Sequence, residues 1–257
     1  MSGIETYVLL CASALAAGVI NSLAGGGTLL TFSALLTVVN PVVANATSTV
    51  ALVPGSIAGA WGYRREMRKS SSWVRLLVVP SMIGGGIGTL LVTRLEESYF
   101  SALVPWLILV AAVLFLAQPA ISHLAGTGKP HAPPTRPKLV ALIVFQFFVA
   151  VYGGYFGAGI GILMLSSLGL MGLTDIHQMN AVKTFLAASI NCVSVGVFAL
   201  ENRVAWHYAL SMAVAAIVGG YLGAHTARRM NREVVRWVVI AIGFGLAGYY
   251  FYKQVVS

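Results

Sequence analysis

Apolar runs of membrane-spanning length follow one another along the whole chain, and the charged residues collect in the short connections between them. The runs cover about residues 5 to 39, 44 to 62, 73 to 93 and 99 to 118, then 138 to 173, 176 to 200, 205 to 227 and 232 to 252. A helix needs ~20 apolar residues to cross ~30 Å of hydrocarbon, whereas barrel strands show alternating segments of ~10, so the pattern predicts spanning helices. Asn40-Pro41 predicts a turn and helix start. Residues 119 to 137 hold Pro119, Gly126, Gly128, Pro130, Pro133, Pro134 and Pro137 and read as a loop. The chain therefore divides into a first transmembrane repeat (1–118), a Pro/Gly-rich cytoplasmic linker (119–137) and a second transmembrane repeat (138–257).

The halves repeat each other residue by residue. At an offset of 135, Asn45-Ala46-Thr47-Ser48-Thr49 meets Asn180-Ala181-Val182-Lys183-Thr184, and Arg94 meets Arg229. Ala24 to Gly27 meets Gly157 to Ile160 at an offset of 133.

The first run of each half is too long for one straight span, and each is interrupted by glycine: Ala24-Gly25-Gly26-Gly27-Thr28 in one, and the stretch from Gly153 through Gly157, Gly159 and Gly161 in the other. Clustered glycine unwinds a helix and leaves peptide groups unpaired. At membrane depth such backbone survives where protein buries it or where it lines a polar cavity, which makes both runs candidate walls of a substrate site. Close helix packing through small residues is the alternative. A kinked helix and a hairpin of half-helices both fit each run.

Composition supports this reading. Of 257 residues, 58% are hydrophobic and 9% charged, with mean hydropathy +0.86, where soluble domains carry about 25% charged residues. The chain reads as an all-α integral membrane protein with about eight hydrophobic segments. The net charge of +9 does not imply nucleic acid, because the basic residues serve as topological anchors. The sequence before the first run has no Lys or Arg and no small-residue cleavage site, so no removable signal peptide is expected. Cys11 and Cys192 read as small buried hydrophobes.

Charge also bears on orientation. If each overlong run crossed once, the basic connections 64 to 75 and 228 to 236 would fall on opposite sides, against the positive-inside rule. If each turns back as a hairpin, each half crosses three times and the halves are inverted. Arg64, Arg65, Arg68, Lys69, Arg75, Lys129, Arg136, Lys138, Arg228, Arg229, Arg232 and Arg236 then all face the cytoplasm, against Arg94, Arg203 and Lys253 outside. This predicts two inverted repeats, each a glycine-broken hairpin or helix followed by three transmembrane helices, an arrangement secondary transporters use.

Lys183 is the most informative side chain. A lysine at membrane depth needs a partner or a wet cavity, and all seven acids lie at segment ends or in connections, so an anionic substrate is one candidate partner. A lysine snorkelling to the interface is the other reading. The repeat mates Ser48 and Thr49 stand opposite Lys183 and Thr184, an asymmetry expected of one shared site. Asn21, Thr28, Asn45, Asn180 and Asn191 add neutral hydrogen-bonding groups. Half-helices that begin after Gly25, Gly26 and Gly27, or after Gly157, Gly159 and Gly161, would aim N–H groups and about +0.5 charge at an anion.

Other chemistry lacks its motifs. The histidines are scattered, with no HExxH, paired-Cys or Walker A sequence, and Gly157-Ala158-Gly159-Ile160-Gly161 is not a dinucleotide fingerprint. No metal, no cofactor and no enzymatic activity is expected. His177 beside Asp175 fits either a proton relay or a helix cap.

These motifs resemble the TauE/SafE family, also called the 4-toluene sulfonate uptake permease family. The resemblance rests on Asn21 to Thr28, Pro41 to Thr49, the second glycine run and Asn180 to Thr184, and it spans essentially the whole chain. It implies a bacterial or archaeal cytoplasmic-membrane carrier of a small sulfur-containing anion, sulfite or an organosulfonate, exposed alternately from a central site. Gly27 and Thr28 stand where further glycine or small residues are expected, and Thr28 departs from that pattern. The partners expected are that anion and the lipid bilayer, with no nucleic acid and a homodimer left open. A non-transporting assembly factor and a carrier of another small anion are the rival readings.

Overall fold

The computed structural model describes residues 3–23, 26–124, 134–226 and 232–256, and among them every regular element is helical. The first half contains α1 (Gly3–Leu23), α2 (Gly27–Leu35), α3 (Pro41–Gly62), α4 (Arg64–Lys69), α5 (Ser71–Arg94) and α6 (Glu97–Leu124). The second contains α7 (Arg136–Tyr155), α8 (Ile160–Leu170), α9 (Ile176–Leu200), α10 (Trp206–Thr226) and α11 (Arg232–Val256). Seven helices, α1, α3, α5, α6, α7, α9 and α11, are long and apolar enough to cross a membrane, while α8 and α10 supply shorter apolar stretches. The protein is an all-α integral membrane protein.

Local signals set the helix ends. Asn40 caps α3 by accepting from the Val43 N–H at 2.9 Å, and Pro41 opens the helix, where its fixed φ and missing N–H cost nothing. α6 runs to Leu124 and includes Pro119, so the stretch read as a loop from residue 119 begins as helix. Proline removes one internal hydrogen bond without necessarily ending a helix whose flanks are apolar. α7 likewise takes Arg136 and Pro137 into its first turn, and linker residues 125–133 lie outside the described residues.

Both glycine-broken runs fold back on themselves. Ten residues of continuous helix would separate Ala17 from Gly27 by ~15 Å, yet a Cβ on Gly27 would stand 2.5 Å from the Ala17 carbonyl oxygen. α2 therefore returns along α1. In the second half, Ile160 Cδ1 lies 3.2 Å from the Cβ position of Gly153, and the Ser167 hydroxyl donates to Gln146 Oε1 at 3.3 Å. α8 returns along α7.

Long-range bonds fix which helix ends lie together. Arg94 pairs with Glu201 and Arg203 with Glu97, both at 2.7 Å, while Gln254 Nε2 reaches the Ala102 carbonyl at 3.1 Å. The α5–α6 and α9–α10 connections and the end of α11 thus share one end of the bundle, with Asn40 near Glu97 at 3.5 Å. At the other end Ser70 donates to Gln178 at 3.0 Å, joining the basic α4 to the start of α9. The antiparallel packing of α11 on α6, with Trp106 edge-on to Phe251 at 5.0 Å, brings the start of α11 to that same end.

Small residues let the helices of opposite halves close up. α1 packs on α10 and α5 on α7, and Cβ atoms on Gly219 or Gly88 would overlap the carbonyls of Leu15 and Val151. In lipid, where hydrophobic burial between helices is weak, such close contact supplies the packing attraction. Cys11 is half-buried and Cys192 is exposed, contrary to the expectation that both are buried. A spanning helix is apolar on its outward face as well as its inward one, so apolar sequence does not separate the two.

Candidate functional site

The two glycine turns meet the same short stretch of α6. Gly26 has φ 98° and Gly159 φ 82°, left-handed conformations that favour glycine. A Cβ on Gly26 would stand 2.5 Å from Phe115 Cζ, and one on Gly159 3.2 Å from Leu114 Cδ1 and 3.8 Å from Ala111 Cα. Ala111 to Phe115 occupy the middle of α6 (Glu97–Leu124). The N-termini of α2 and α8 accordingly begin at mid-depth in the bundle.

The two N-termini differ chemically. At α2, Asn21 Oδ1 accepts the Gly27 N–H at 2.9 Å, which supplies one of the acceptors that a helix start lacks. Gly27 presses against Ala17, and half-buried Thr28 gives its carbonyl to the Thr31 hydroxyl at 3.3 Å. Ser48 is fully buried and shares a 2.6 Å hydrogen bond with Thr31. Thr49 bonds back to the Asn45 carbonyl at 2.9 Å. Gly25 lies outside the described residues.

At α8 the N-cap position is Gly159, which has no side chain to cap with. The stem of Lys183 lies over its first turn, with Cδ 3.4 Å and Cε 4.0 Å from the Cβ position of Gly161. The Lys183 ammonium donates to Asn180 Oδ1 at 3.1 Å, while Asn180 Nδ2 bonds back to the Ile176 carbonyl at 2.9 Å. A fixed cation and a helix N-terminus carrying ~+0.5 charge therefore stand side by side, the arrangement that receives an anion.

The turn between α7 and α8 is held from both halves. Asn45 reaches across from α3 and donates from Nδ2 to the Tyr155 carbonyl at 2.9 Å. The Tyr152 hydroxyl donates to the Ala158 carbonyl at 2.8 Å, and Gly157, with φ 83°, makes the bend. Phe156 stacks edge-on with Phe32 of α2 at 5.1 Å.

The structure thus brings Gly159, Gly161, Asn180 and Lys183 together, and Asn45 with Gly157 at the adjoining turn. Thr184 instead packs at the α3–α9 crossing, its Cγ2 3.3 Å from the Cβ position of Gly59. Asn191 is half-buried two turns further along α9. Tyr152, Thr31 and Phe115 escaped the sequence reading. A tyrosine beside two glycines in an apolar run was the one available signal, because its hydroxyl needs a partner when buried.

Among the described residues no group of His, Cys, Asp and Glu is placed to hold a metal ion. Asp175 caps α9 by accepting the His177 N–H at 2.8 Å. That bond holds its carboxyl below the usual range, opposed by desolvation and aided by Gln178 and the charge of His177.

Residues 10–250 match the sulfite exporter TauE/SafE family. The chain is 25% identical over 254 residues to a probable membrane transporter protein of Haemophilus influenzae, covering 98% of this chain and 97% of that protein. It is 26% identical to the probable membrane transporter protein YfcA of Escherichia coli K12 (89% and 83% covered) and 26% identical to YunE of Bacillus subtilis (93% and 96%), which carries the same description. No solved structure matches the chain.

Proposed function

The chain belongs to the TauE/SafE sulfite exporter family, a multi-pass membrane transporter of the cytoplasmic membrane, and on that premise we propose that it carries a small sulfur-containing oxyanion, sulfite or an organosulfonate. The observation that carries the reading is the Lys183 stem lying over Gly161 at the glycine-capped start of α8. The ammonium and the positive end of the α8 dipole attract an anion, and Asn180 orients the lysine. The equivalent place in the first half is filled by the Asn21 cap and the Ser48–Thr31 bond, so one anion site rather than two serves the pair of repeats.

The two halves form inverted repeats in this reading, and alternating access follows from rocking one against the other. Its support is the return of both hairpins and the sharing of bundle ends by the connections described above. The end that gathers α4 and the start of α11 is cytoplasmic by its arginines and lysines. Asn45 couples the halves, since it sits on α3 and holds the turn of the second hairpin.

The test is flux into proteoliposomes across sulfite, thiosulfate, sulfoacetate, sulfate and chloride. Saturable flux of sulfur oxyanions that is lost in Lys183→Met is the expected result. Absence of flux for every anion would return the chain to the assembly-factor reading.

A further inference from the structure

Asn45 carries an acceptor that no described residue fills. Its residue is 1% exposed and its Nδ2 is engaged by the Tyr155 carbonyl, yet Oδ1 has no donor among the described residues. Leaving such a group buried without a partner costs its full desolvation, so an occupant that binds oxygen is indicated.

The side chain sits at the C-terminal end of α7, where other oxygens are freed. The Gly157 N–H bypasses the Gly153 carbonyl and joins the Phe156 N–H on the Tyr152 carbonyl, at 3.2 and 2.9 Å. The Gly153 carbonyl is thereby left out of the helix ladder. The Tyr155 carbonyl lies beyond the last helical bond, with one of its two lone pairs given to Asn45. A helix C-terminus carries ~−0.5 charge, and the Phe32–Phe156 pair closes over the turn.

We propose that Asn45 Oδ1 and the carbonyls of Gly153 and Tyr155 bind a sodium ion at the end of α7. Neutral oxygens and a helix C-terminus suit a hard cation. The seven acids of the chain stand at helix ends or in connections, and without a carboxylate the site suits one positive charge rather than two. A proton is excluded as occupant because an amide does not titrate. Resting on the proposed anion site, the inference extends to coupling: the turn from Phe156 to Gly159 joins the cation end of α7 to the anion end of α8. Filling the first site orders the turn that presents the second, which makes the pair a cotransport site.

The experiment is calorimetry on the purified protein, titrated with sodium gluconate against choline gluconate with no sulfur anion present. Saturable heat specific to sodium is expected, at least tenfold weaker in Asn45→Leu and undiminished in Asn45→Asp, whose carboxylate replaces the oxygen ligand. Absence of sodium heat in the unmodified protein would overturn the site. So would unchanged affinity in Asn45→Leu. Should Asn45→Leu not fold, Asn45→Asp decides alone, and a tenfold loss there would mark Asn45 as merely structural and overturn the proposal. In proteoliposomes an inward sodium gradient should raise anion uptake about tenfold over choline. Uptake indifferent to sodium in protein that binds it would overturn the coupling. If no anion moves at all, the transport reading fails while the calorimetry still decides the cation site.

Discussion

Lys183 and Gly161 are in van der Waals register: Cδ of the lysine lies 3.4 Å from the point where a Cβ on the glycine would stand. The stem crosses the start of α8 at this contact distance and carries its ammonium to Asn180, where a side chain larger than a methyl on residue 161 would compete for the same space.

Replacing the charge should therefore weaken anion binding without unfolding the protein. Lys183 is half-buried, so Lys183→Met should cost about 1.5–3 kcal/mol, as for a hydrogen bond to a charged group, or roughly ten- to a hundredfold in affinity. Lys183→Arg should keep part of it, limited by the broader guanidinium. Anion titration of membrane-inserted protein reads this, and unchanged affinity for Lys183→Met would make the residue an anchor.

Gly161→Leu is the complementary change. Its side chain should push the Lys183 stem away from α8, lowering affinity as far as Lys183→Met does, while the helix, whose φ at this position is ordinary, remains intact. Combining the two substitutions should add little. Additive losses in the double variant would place the two residues in separate sites.

Gly26 and Gly159 should respond differently, through backbone strain. Forcing a side chain into a left-handed conformation costs on the order of 1–3 kcal/mol, and at Gly26 the new Cβ also meets Phe115. Gly26→Leu and Gly159→Leu should lower the thermal midpoint in detergent and abolish flux in whatever protein inserts. Normal flux in both would leave these glycines with a packing role alone.

Topology is open to direct labelling. With Cys11 and Cys192 replaced, single cysteines at Ser71 and Glu233 should react with an impermeant reagent from the same, cytoplasmic side. Reaction from opposite sides would remove the inverted-repeat arrangement.

The Asp175 cap predicts a pH effect of definite sign. Its folded carboxyl titrates below the unfolded value, near 3.9, so its contribution to stability is present above that value and is lost as pH falls through the lower folded one. Asp175→Asn should flatten the acid side of the stability profile measured by thermal melts between pH 6 and pH 3. A profile that still falls as steeply would assign the acid sensitivity to other carboxyls.

Much of this protein follows from local rules that a sequence displays directly. Spanning helices follow from apolar run length, their ends from residues such as Asn40 and Asp175, and the two turns from glycines whose backbone freedom is independent of their neighbours. The duplication is equally plain, since Asn45 to Thr49 and Asn180 to Thr184 align without reference to three-dimensional structure. The family resemblance drew on the same stretches and agrees with the match over residues 10–250.

What the tertiary structure decided is what packs on each of two similar turns and what each polar group is spent on. Asn21 and Asn180 look alike in sequence, yet one caps α2 and the other holds Lys183. Asn45 bonds to a carbonyl 110 positions away, leaving an oxygen without a partner among the described residues. Such assignments depend on how helices from the two halves cross, and the crossings are set by close backbone contacts at Gly18, Gly88, Gly154 and Gly219. Composition places those glycines in helices, but only packing determines which carbonyl each one meets, because in a bilayer inward and outward faces are both apolar.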